Sequence, residues 1–112
     1  MTDRMSGAEV AATRSLLGLS QQDLAGILGV RRDTVRDWER DRFGIGPGPA
    51  TDLASLRARH DRETRVARQA AADGITAELA ADPMPRGWYV AVGARVLDTH
   101  PDAQLSWAID DD

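Results

Sequence analysis

Residues 20–40 constrain the fold more than any other part of the chain, and they read SQQDLAGILGVRRDTVRDWER. Ser20 can cap the start of a helix, and Asp23 lies three residues further on, close to the capping-box pattern. Gly29 can adopt the left-handed backbone that ends a helix at little steric cost. The segment therefore predicts two short helices, about 21–28 and 32–41, joined by a tight turn.

The apolar residues of this segment predict how the two helices pack. Val35 and Trp38 are three residues apart and share the inner face of the second helix. Ala25 is small, as two steeply crossing helices require, and Val30 is expected to be buried just after the turn. This arrangement is the helix-turn-helix motif.

The segment is similar to the Cro/C1-type (XRE-like) helix-turn-helix transcriptional regulators. The similarity rests on the spacing of Ala25, Gly29, Val35 and Trp38 and on the ending Trp-Glu-Arg at residues 38–40. It implies a lambda-repressor-like domain that inserts its second helix into the major groove of DNA. The chain departs from the family pattern at Arg31, where a small polar cap is usual, and at Asp41, where Gly is often found.

Carried over position by position, the resemblance assigns two sets of DNA contacts. The base-contact candidates are Arg32, Asp33, Arg36 and Asp37. The phosphate-contact candidates are Gln21, Arg31, Thr34, Arg40 and Arg42. Arg commonly binds guanine in a bidentate manner and Asp can accept from cytosine, so G·C-rich half-sites are expected. The alternative for the charged residues is a solvated helix face, and Asp33 also suits the positive end of a helix dipole.

The net charge of −4 is unusual for a DNA-binding protein, but the charges are unevenly distributed. Residues 1–65 hold 11 Arg and 10 acidic residues, whereas residues 66–112 hold 3 Arg and 8 acidic residues. The acidic excess therefore lies away from the predicted DNA-binding face. Non-specific binding should be weak and sensitive to salt.

The rest of the chain predicts further elements on either side of a Gly/Pro-rich break at residues 43–49. Phe43 and Ile45 of that break are expected to close the core. Over residues 86–99, the spacing of Tyr89, Val92 and Val96 at i, i+3 and i+7 predicts an amphipathic helix, with a hairpin at Gly93-Ala94 as the alternative. The other predicted elements are a helix over 7–17 with a Ser6–Glu9 capping box, a long helix over 50–72, and strands over 75–79 and 104–109.

The predicted fold is mainly α. It comprises an N-terminal five-helix lambda-repressor-like domain over residues 1–73, including a long fifth helix, and a strand–helix–strand element over residues 74–112. The pattern Pro85-x-x-Trp88, followed by Pro101-Asp-Ala and an aromatic strand, resembles the dimerisation element of small phage-associated regulators such as the anti-CRISPR-associated repressors. We expect this element to form a homodimer or, alternatively, an ordinary intramolecular core. The predicted interface residues are Trp88, Val92, Leu105, Trp107 and Ile109.

The sequence offers little for catalysis. Cysteine is absent, and His60 and His100 lack a partner at metal-ligand spacing. We therefore expect no enzymatic activity, no cofactor and no metal. The chain has neither an apolar run that could span a membrane nor a signal sequence, so a cytoplasmic location is expected.

These features predict a homodimeric, sequence-specific repressor that binds double-stranded DNA at an inverted-repeat operator, with control of its own operon as a further expectation. Two alternatives stay open at this point. The C-terminal third could bind a protein such as a toxin or another regulator, which would make the chain an antitoxin or adaptor. A nucleoid or recombination factor would instead bind DNA without sequence preference.

Overall fold

The computed structural model describes residues 5–108, and within this range the chain is mainly helical, as predicted. Its five helices and two strands follow one another in the order α1 (Gly7–Leu16), α2 (Gln21–Leu28), α3 (Arg32–Glu39), α4 (Pro47–Ala72), β1 (Ala77–Leu79), α5 (Arg86–Thr99) and β2 (Leu105–Trp107). The strand–helix–strand order and the helix at residues 86–99 are confirmed. No helix within residues 5–108 is both long and apolar enough to cross a membrane.

The chain forms two compact units, and they divide inside α4, between Ala58 and Arg59. The second half of α4 therefore belongs with the C-terminal strands and helix. Four helices precede residue 73, in agreement with the four predicted over 7–17, 21–28, 32–41 and 50–72, so the long helix is the fourth and α5 is the fifth. The boundary proposed after residue 73 marks the end of this helix rather than the division between the compact units.

The helix ends of the first unit are set by local hydrogen bonds. The Ser6 hydroxyl accepts from the Glu9 amide at 3.1 Å, and the Glu9 carboxylate accepts from the Ser6 amide at 2.7 Å. Ser20 and Asp23 repeat this reciprocal arrangement at 2.9 and 3.0 Å. Gly29 ends α2 with φ 70°, the left-handed conformation that glycine adopts without a Cβ penalty. Both predicted capping boxes and the glycine turn are confirmed.

Apolar side chains from all four helices form the core of the first unit. Phe43 is 62% exposed, so the prediction that it closes the core is wrong, whereas Ile45 is buried. Apolar groups make up more than half of a folded protein's surface, so an exposed Phe is an ordinary exception. The buried residues of this unit are Val10, Leu17, Leu19, Leu24, Ala25, Val35, Trp38, Ile45 and Leu53.

The start of α4 differs from the prediction. The helix begins at Pro47 rather than near residue 50, so Pro47-Gly48-Pro49 forms its first turn. Proline is compatible with the first turn because the amide hydrogens there have no partner within the helix. The Gly/Pro-rich segment is therefore a break only up to residue 46.

In the second unit, α5 connects two short parallel strands. β1 pairs with β2 in the register Ala77–Leu105, Glu78–Ser106 and Leu79–Trp107. A Cβ atom at Gly93 of α5 would lie 3.1 Å from Leu79 Cδ1 and 3.2 Å from Leu105 Cδ1. The absence of a side chain at Gly93 thus lets α5 approach the sheet closely.

Polar side chains of α4 lie in the core of the second unit beside Trp88. His60 is fully buried, and its ring meets that of Trp88 edge to face at a centroid distance of 4.6 Å. Its Nε2 lies 3.1 Å from the Trp88 carbonyl oxygen, and its Nδ1 lies 3.0 Å from Arg95 Nη1. Because a carbonyl only accepts and a guanidinium only donates, His60 must be neutral with its proton on Nε2. Burial lowers the pKa of His60, and Arg95 lowers it further, against the raising effect of the Trp88 carbonyl.

Candidate DNA-binding surface

Helix α3 has one buried face and one polar outer face. Val35 is fully buried and Trp38 nearly so. Arg32 and Asp33 are exposed, whereas Arg36 and Asp37 are half-buried. All four predicted base-contact residues therefore lie on the same eight-residue helix whose inner face is fixed by the core.

The start of α3 has no side-chain cap. Arg31 occupies the N-cap position in an extended conformation, and its side chain makes no capping hydrogen bond. A Ser at this position would satisfy one free amide of the first turn. The side chains of Arg31 and Arg32 instead carry two exposed positive charges at the end of α3 where the helix dipole is also positive. Anions such as phosphates are favoured at such a helix end.

Arg36 and Asp33 form a loose ion pair on the outer face. Arg36 Nη2 lies 3.5 Å from Asp33 Oδ1, and their side chains are 42% and 73% exposed. Exposed pairs of this kind contribute about 0–1 kcal/mol, so Arg36 can leave Asp33 at little cost. The buried Nε of Arg36 has no hydrogen-bond partner among residues 5–108.

Glu39 links the ends of three helices in the first unit. Arg14 of α1 binds it in a bidentate manner, with Nε–Oε2 at 2.6 Å and Nη2–Oε1 at 3.0 Å. Gln21 at the start of α2 donates its side-chain amide to Glu39 Oε1 at 3.0 Å. Arg14 also donates to the Leu19 carbonyl oxygen at 2.9 Å, which fixes the connection before α2. These bonds hold α3 in position relative to α1 and α2.

The electrostatics of Glu39 follow from these contacts. Burial by itself would raise the pKa of Glu39, but hydrogen bonds from Arg14 and Gln21 and the charge of Arg14 outweigh it, so the pKa is lowered. The hydrogen bond to Glu39 raises the pKa of Arg14. Both partners are therefore held in their charged forms.

Asp41 joins the end of α3 to the start of α1. Its backbone is left-handed, with φ 59°, a conformation that Asp tolerates better than most residues. Its Oδ1 accepts from the Gly7 amide at 2.7 Å. A Gly at this position would fit the backbone but could not make this bond, which accounts for the departure from the family pattern.

The predicted phosphate-contact residues are distributed around the same surface. Arg40 follows α3 as its C-cap, Arg42 is exposed, and Thr34 is half-buried. Among the described residues, no ion pair involves Arg31, Arg32, Arg40 or Arg42. Gln21 differs from this set because its side-chain amide is already bonded to Glu39.

The sequence did not predict that Arg14 and Gln21 both bind Glu39. Arg14 and Glu39 are 25 residues apart, so no local spacing connects them. The one sequence feature that pointed to Glu39 was the run Trp-Glu-Arg at residues 38–40, which belongs to the family resemblance and predicts no contact by itself.

The structure places the predicted dimer-interface residues in different environments. Trp88 and Val92 are buried, and Trp88 donates its indole N–H to Glu63 of the same unit at 2.8 Å. They therefore offer no surface to a second copy, and the interface prediction is corrected at these two positions. Leu105 and Trp107 are half-exposed on β2, and Ile109 lies outside the described residues.

Comparison with known families matches the part of the chain that contains α3 and the predicted DNA contacts. Residues 10–55 match the helix-turn-helix family model, which covers most of α1, all of α2 and α3, and the start of α4. The match supports a DNA-binding transcription regulator of the XRE-like helix-turn-helix type. A comparison with curated proteins found no match to this chain.

Proposed function

We propose that this protein is a sequence-specific transcriptional repressor that binds an inverted-repeat operator as a homodimer. The observation that supports it most strongly is the outer face of α3 within the helix-turn-helix match. There, Arg32 and Arg36 lie opposite a buried face formed by Val35 and Trp38. Such a helix can enter the major groove with its N-terminal residues toward the base edges.

Arg36 is the main candidate for base recognition. Its ion pair with Asp33 is weak, and its side chain is 42% exposed, so its terminal nitrogens can turn towards a base edge. A guanine offers two acceptors, O6 and N7, which a guanidinium can bind together for about 1–3 kcal/mol of discrimination. Asp33 would orient Arg36 or accept a hydrogen bond from a neighbouring cytosine. Arg32 and Asp37 complete the proposed base-contact set.

Phosphate contacts are proposed for the cationic rim of α3 and the start of α2. Arg31, Arg40 and Arg42 have no ion-pair partner among the described residues, so binding a phosphate would break no internal salt bridge. Thr34 can add a neutral contact. For Gln21 we propose a contact by the backbone at the helix start, since its side chain holds Glu39.

Two copies are needed because one short helix reads only one half-site. Related motifs read two half-sites about 34–36 Å apart, and a two-fold dimer matches an inverted repeat. The chain's net charge of −4 disfavours strong non-specific binding, so useful affinity must come from specific contacts made twice. Occupation of a promoter by such a dimer would exclude RNA polymerase, which is the basis for proposing repression.

The proposal is tested by fluorescence anisotropy with the DNA immediately upstream of the gene and with a shuffled duplex, each at two salt concentrations. We expect tight binding to the upstream DNA at two chains per duplex, with a preference over the shuffled sequence at both salt concentrations. Equal, weak and salt-sensitive binding to both duplexes would contradict sequence-specific repression.

A protein-binding role is the second candidate function, and one observation of the second unit favours it. Val66 and Ile75 are 74% and 60% exposed, and they line a groove of about 640 Å³. An antitoxin or adaptor would use such a surface for its protein partner. Stable co-purification with the product of a neighbouring gene would support this candidate, whereas a self-contained homodimer that binds the operator would count against it.

A further inference from the structure

The outer face of α5 carries exposed apolar residues. Val90 is 51% exposed and Leu97 is 40% exposed, and Ala94 between them is also exposed. Residues at spacings of three, four and seven share one helix face. This face lies away from the buried residues Trp88 and Val92, so α5 has an apolar surface on both sides.

This face continues into a groove formed with the sheet. The groove has a volume of about 350 Å³ and is lined by α5 together with Leu79, Leu105 and Trp107. A single helix face is smaller than a standard interface of about 1,200–2,000 Å² in total. The adjoining groove adds apolar area to this face.

Opposite charges lie at the two ends of the same face. Arg86, Val90, Ala94 and Asp98 are spaced four residues apart and are all exposed, so they form one continuous ridge of α5. Arg86 stays at the sheet side of this ridge because its guanidinium lies over the Trp107 ring, 3.9 Å from the centroid. The ridge therefore runs from a positive end, through two small or medium apolar residues, to a negative end.

The charge pattern of this ridge is complementary to that of a second copy of α5 that runs in the opposite direction. In an antiparallel pair of identical helices centred at residue 92, position 86 faces position 98, and position 90 faces position 94. Arg86 would then meet the partner subunit's Asp98, and the same contact would form a second time at the other end. A parallel pair would instead place Arg86 against the partner subunit's Arg86, which like-charge repulsion disfavours. The charge pattern thus selects a second copy of this chain as the occupant.

We propose that the protein dimerises by antiparallel pairing of α5 about a two-fold axis near residue 92. This inference rests on the proposed function, because a repressor that binds an inverted repeat needs two copies. It adds the surface through which the two copies bind each other. Val90 packs against the partner subunit's Ala94, and the two Arg86–Asp98 contacts fix the register. Leu97 and the groove beside Leu105 and Trp107 extend the apolar area.

Charge reversal tests the register directly. Arg86→Glu and Asp98→Arg, made separately, should each weaken self-association at least tenfold in sedimentation equilibrium, because each places like charges together twice. Mixing the two variants should restore association, since both contacts of the heterodimer then join opposite charges. Asp73→Arg changes the charge equally at an exposed position at the end of α4 and should leave association unchanged. Circular dichroism checks that all the variants are folded.

The outcomes separate this inference from the proposed function. Restoration on mixing supports the antiparallel pairing. A wild-type dimer that is unaffected by either single variant would overturn the α5 interface and leave the operator-binding dimer intact. A wild type that stays monomeric at all concentrations while binding its operator specifically would overturn both the α5 interface and the dimer, but not sequence-specific DNA binding.

Discussion

The first unit, which ends at Ala58, and the second unit, which begins at Arg59, are stabilised in different ways. The first unit has an apolar core, and Ser6 and Ser20 cap the starts of two of its helices. The backbones of α1 and α3 are in close contact at Gly7. In the second unit, two strands of three residues each are supported by a helix, α5. The contacts of α5 with α4 include the buried His60 and the partly buried Glu63 and Arg95. The comparison implies that steric change affects mainly the first unit, whereas a change of pH between 7.5 and 5.5 affects mainly the second. The first unit responds to pH only at the lower values at which Glu39 takes up a proton.

Gly7→Ala should have the largest effect and would test the steric side of this comparison. A Cβ atom at Gly7 would lie 2.6 Å from the Trp38 carbonyl oxygen and closer still to that of Glu39. Backbone atoms cannot move aside as a flexible side chain can, so we expect a loss of about 3 kcal/mol or more in the free energy of unfolding, measured in urea.

Gly26→Ala is the matched control for this change. Nothing lies within 4 Å of a Cβ atom at Gly26, which is exposed inside α2. Because Ala has a higher helix propensity than Gly, it should stabilise the protein by about 0.5–1 kcal/mol. Equal effects of the two substitutions would contradict the close approach of α1 to α3.

Glu39→Gln should rank second, because it leaves the charge of Arg14 without its carboxylate. We expect a loss of about 2 kcal/mol, the scale of a hydrogen bond to a charged group. Because the folded-state pKa of Glu39 is lowered, its contribution is present above the unfolded pKa of about 4.3 and is lost as the pH falls through the folded pKa.

The measurement is urea unfolding of wild type and Glu39→Gln at pH 7 and near pH 3. The difference between them should shrink at the lower pH. Asp52→Asn removes the same charge from an exposed position of α4 and should have little effect at either pH. A difference that does not depend on pH would contradict the charged state of Glu39.

The effect of pH on the second unit should be smaller than the loss expected for Glu39→Gln, and it should be confined to the surroundings of His60. Because the folded-state pKa of His60 is lowered, its contribution to stability is present above the unfolded pKa of about 6.5 and is lost as the pH falls towards the folded pKa. The first unit has no histidine up to Ala58. Hydrogen exchange between pH 7.5 and 5.5 should therefore show loosening around Trp88 and Arg95 but not around Val35.

His60→Gln gives the corresponding control, because Gln cannot gain a proton in this range. The variant should be less stable than wild type at pH 7.5 and should lack the pH-dependent loosening around Trp88. A variant that loosens as wild type does would assign the effect to another group, and His100 is the only other histidine in the chain.

Gly93→Ala should have the smallest effect and sharpens the contrast with Gly7. The added Cβ atom would meet only the flexible ends of Leu79 and Leu105, which can shift by a few tenths of an ångström. The gain in helix propensity, about 1 kcal/mol, offsets much of the cost. Urea unfolding should show a change within about 1 kcal/mol, and a loss as large as that of Gly7→Ala would show that the sheet cannot move.

The features that the sequence predicted well are local. The capping boxes at Ser6 and Ser20 and the turn at Gly29 each depend on residues within a few positions, and the periodicity of residues 86–99 correctly favoured a helix over a hairpin. The start of α4 was missed because Pro47 was interpreted as a breaker, although proline fits a first helical turn.

The features that the sequence did not predict depend on distant contacts. Glu39 binds Arg14 across 25 residues, and only the packing of α1 against α3 brings them together. In α5, the sequence predicts a helix but not which apolar face the sheet covers. Trp88 and Val92 were therefore predicted to lie at an interface, whereas Val90 and Leu97 are the exposed apolar residues.

The central claim is that α3 reads DNA sequence through Arg36, and Arg36→Ala tests it most directly. Anisotropy should show affinity for the upstream DNA falling by about tenfold to a hundredfold, the equivalent of about 1–3 kcal/mol, with a much smaller loss on a shuffled duplex. Arg62→Ala removes an exposed positive charge from α4 and should not change this ratio. Equal losses on both duplexes would show that Arg36 contacts phosphate only and would contradict the claim.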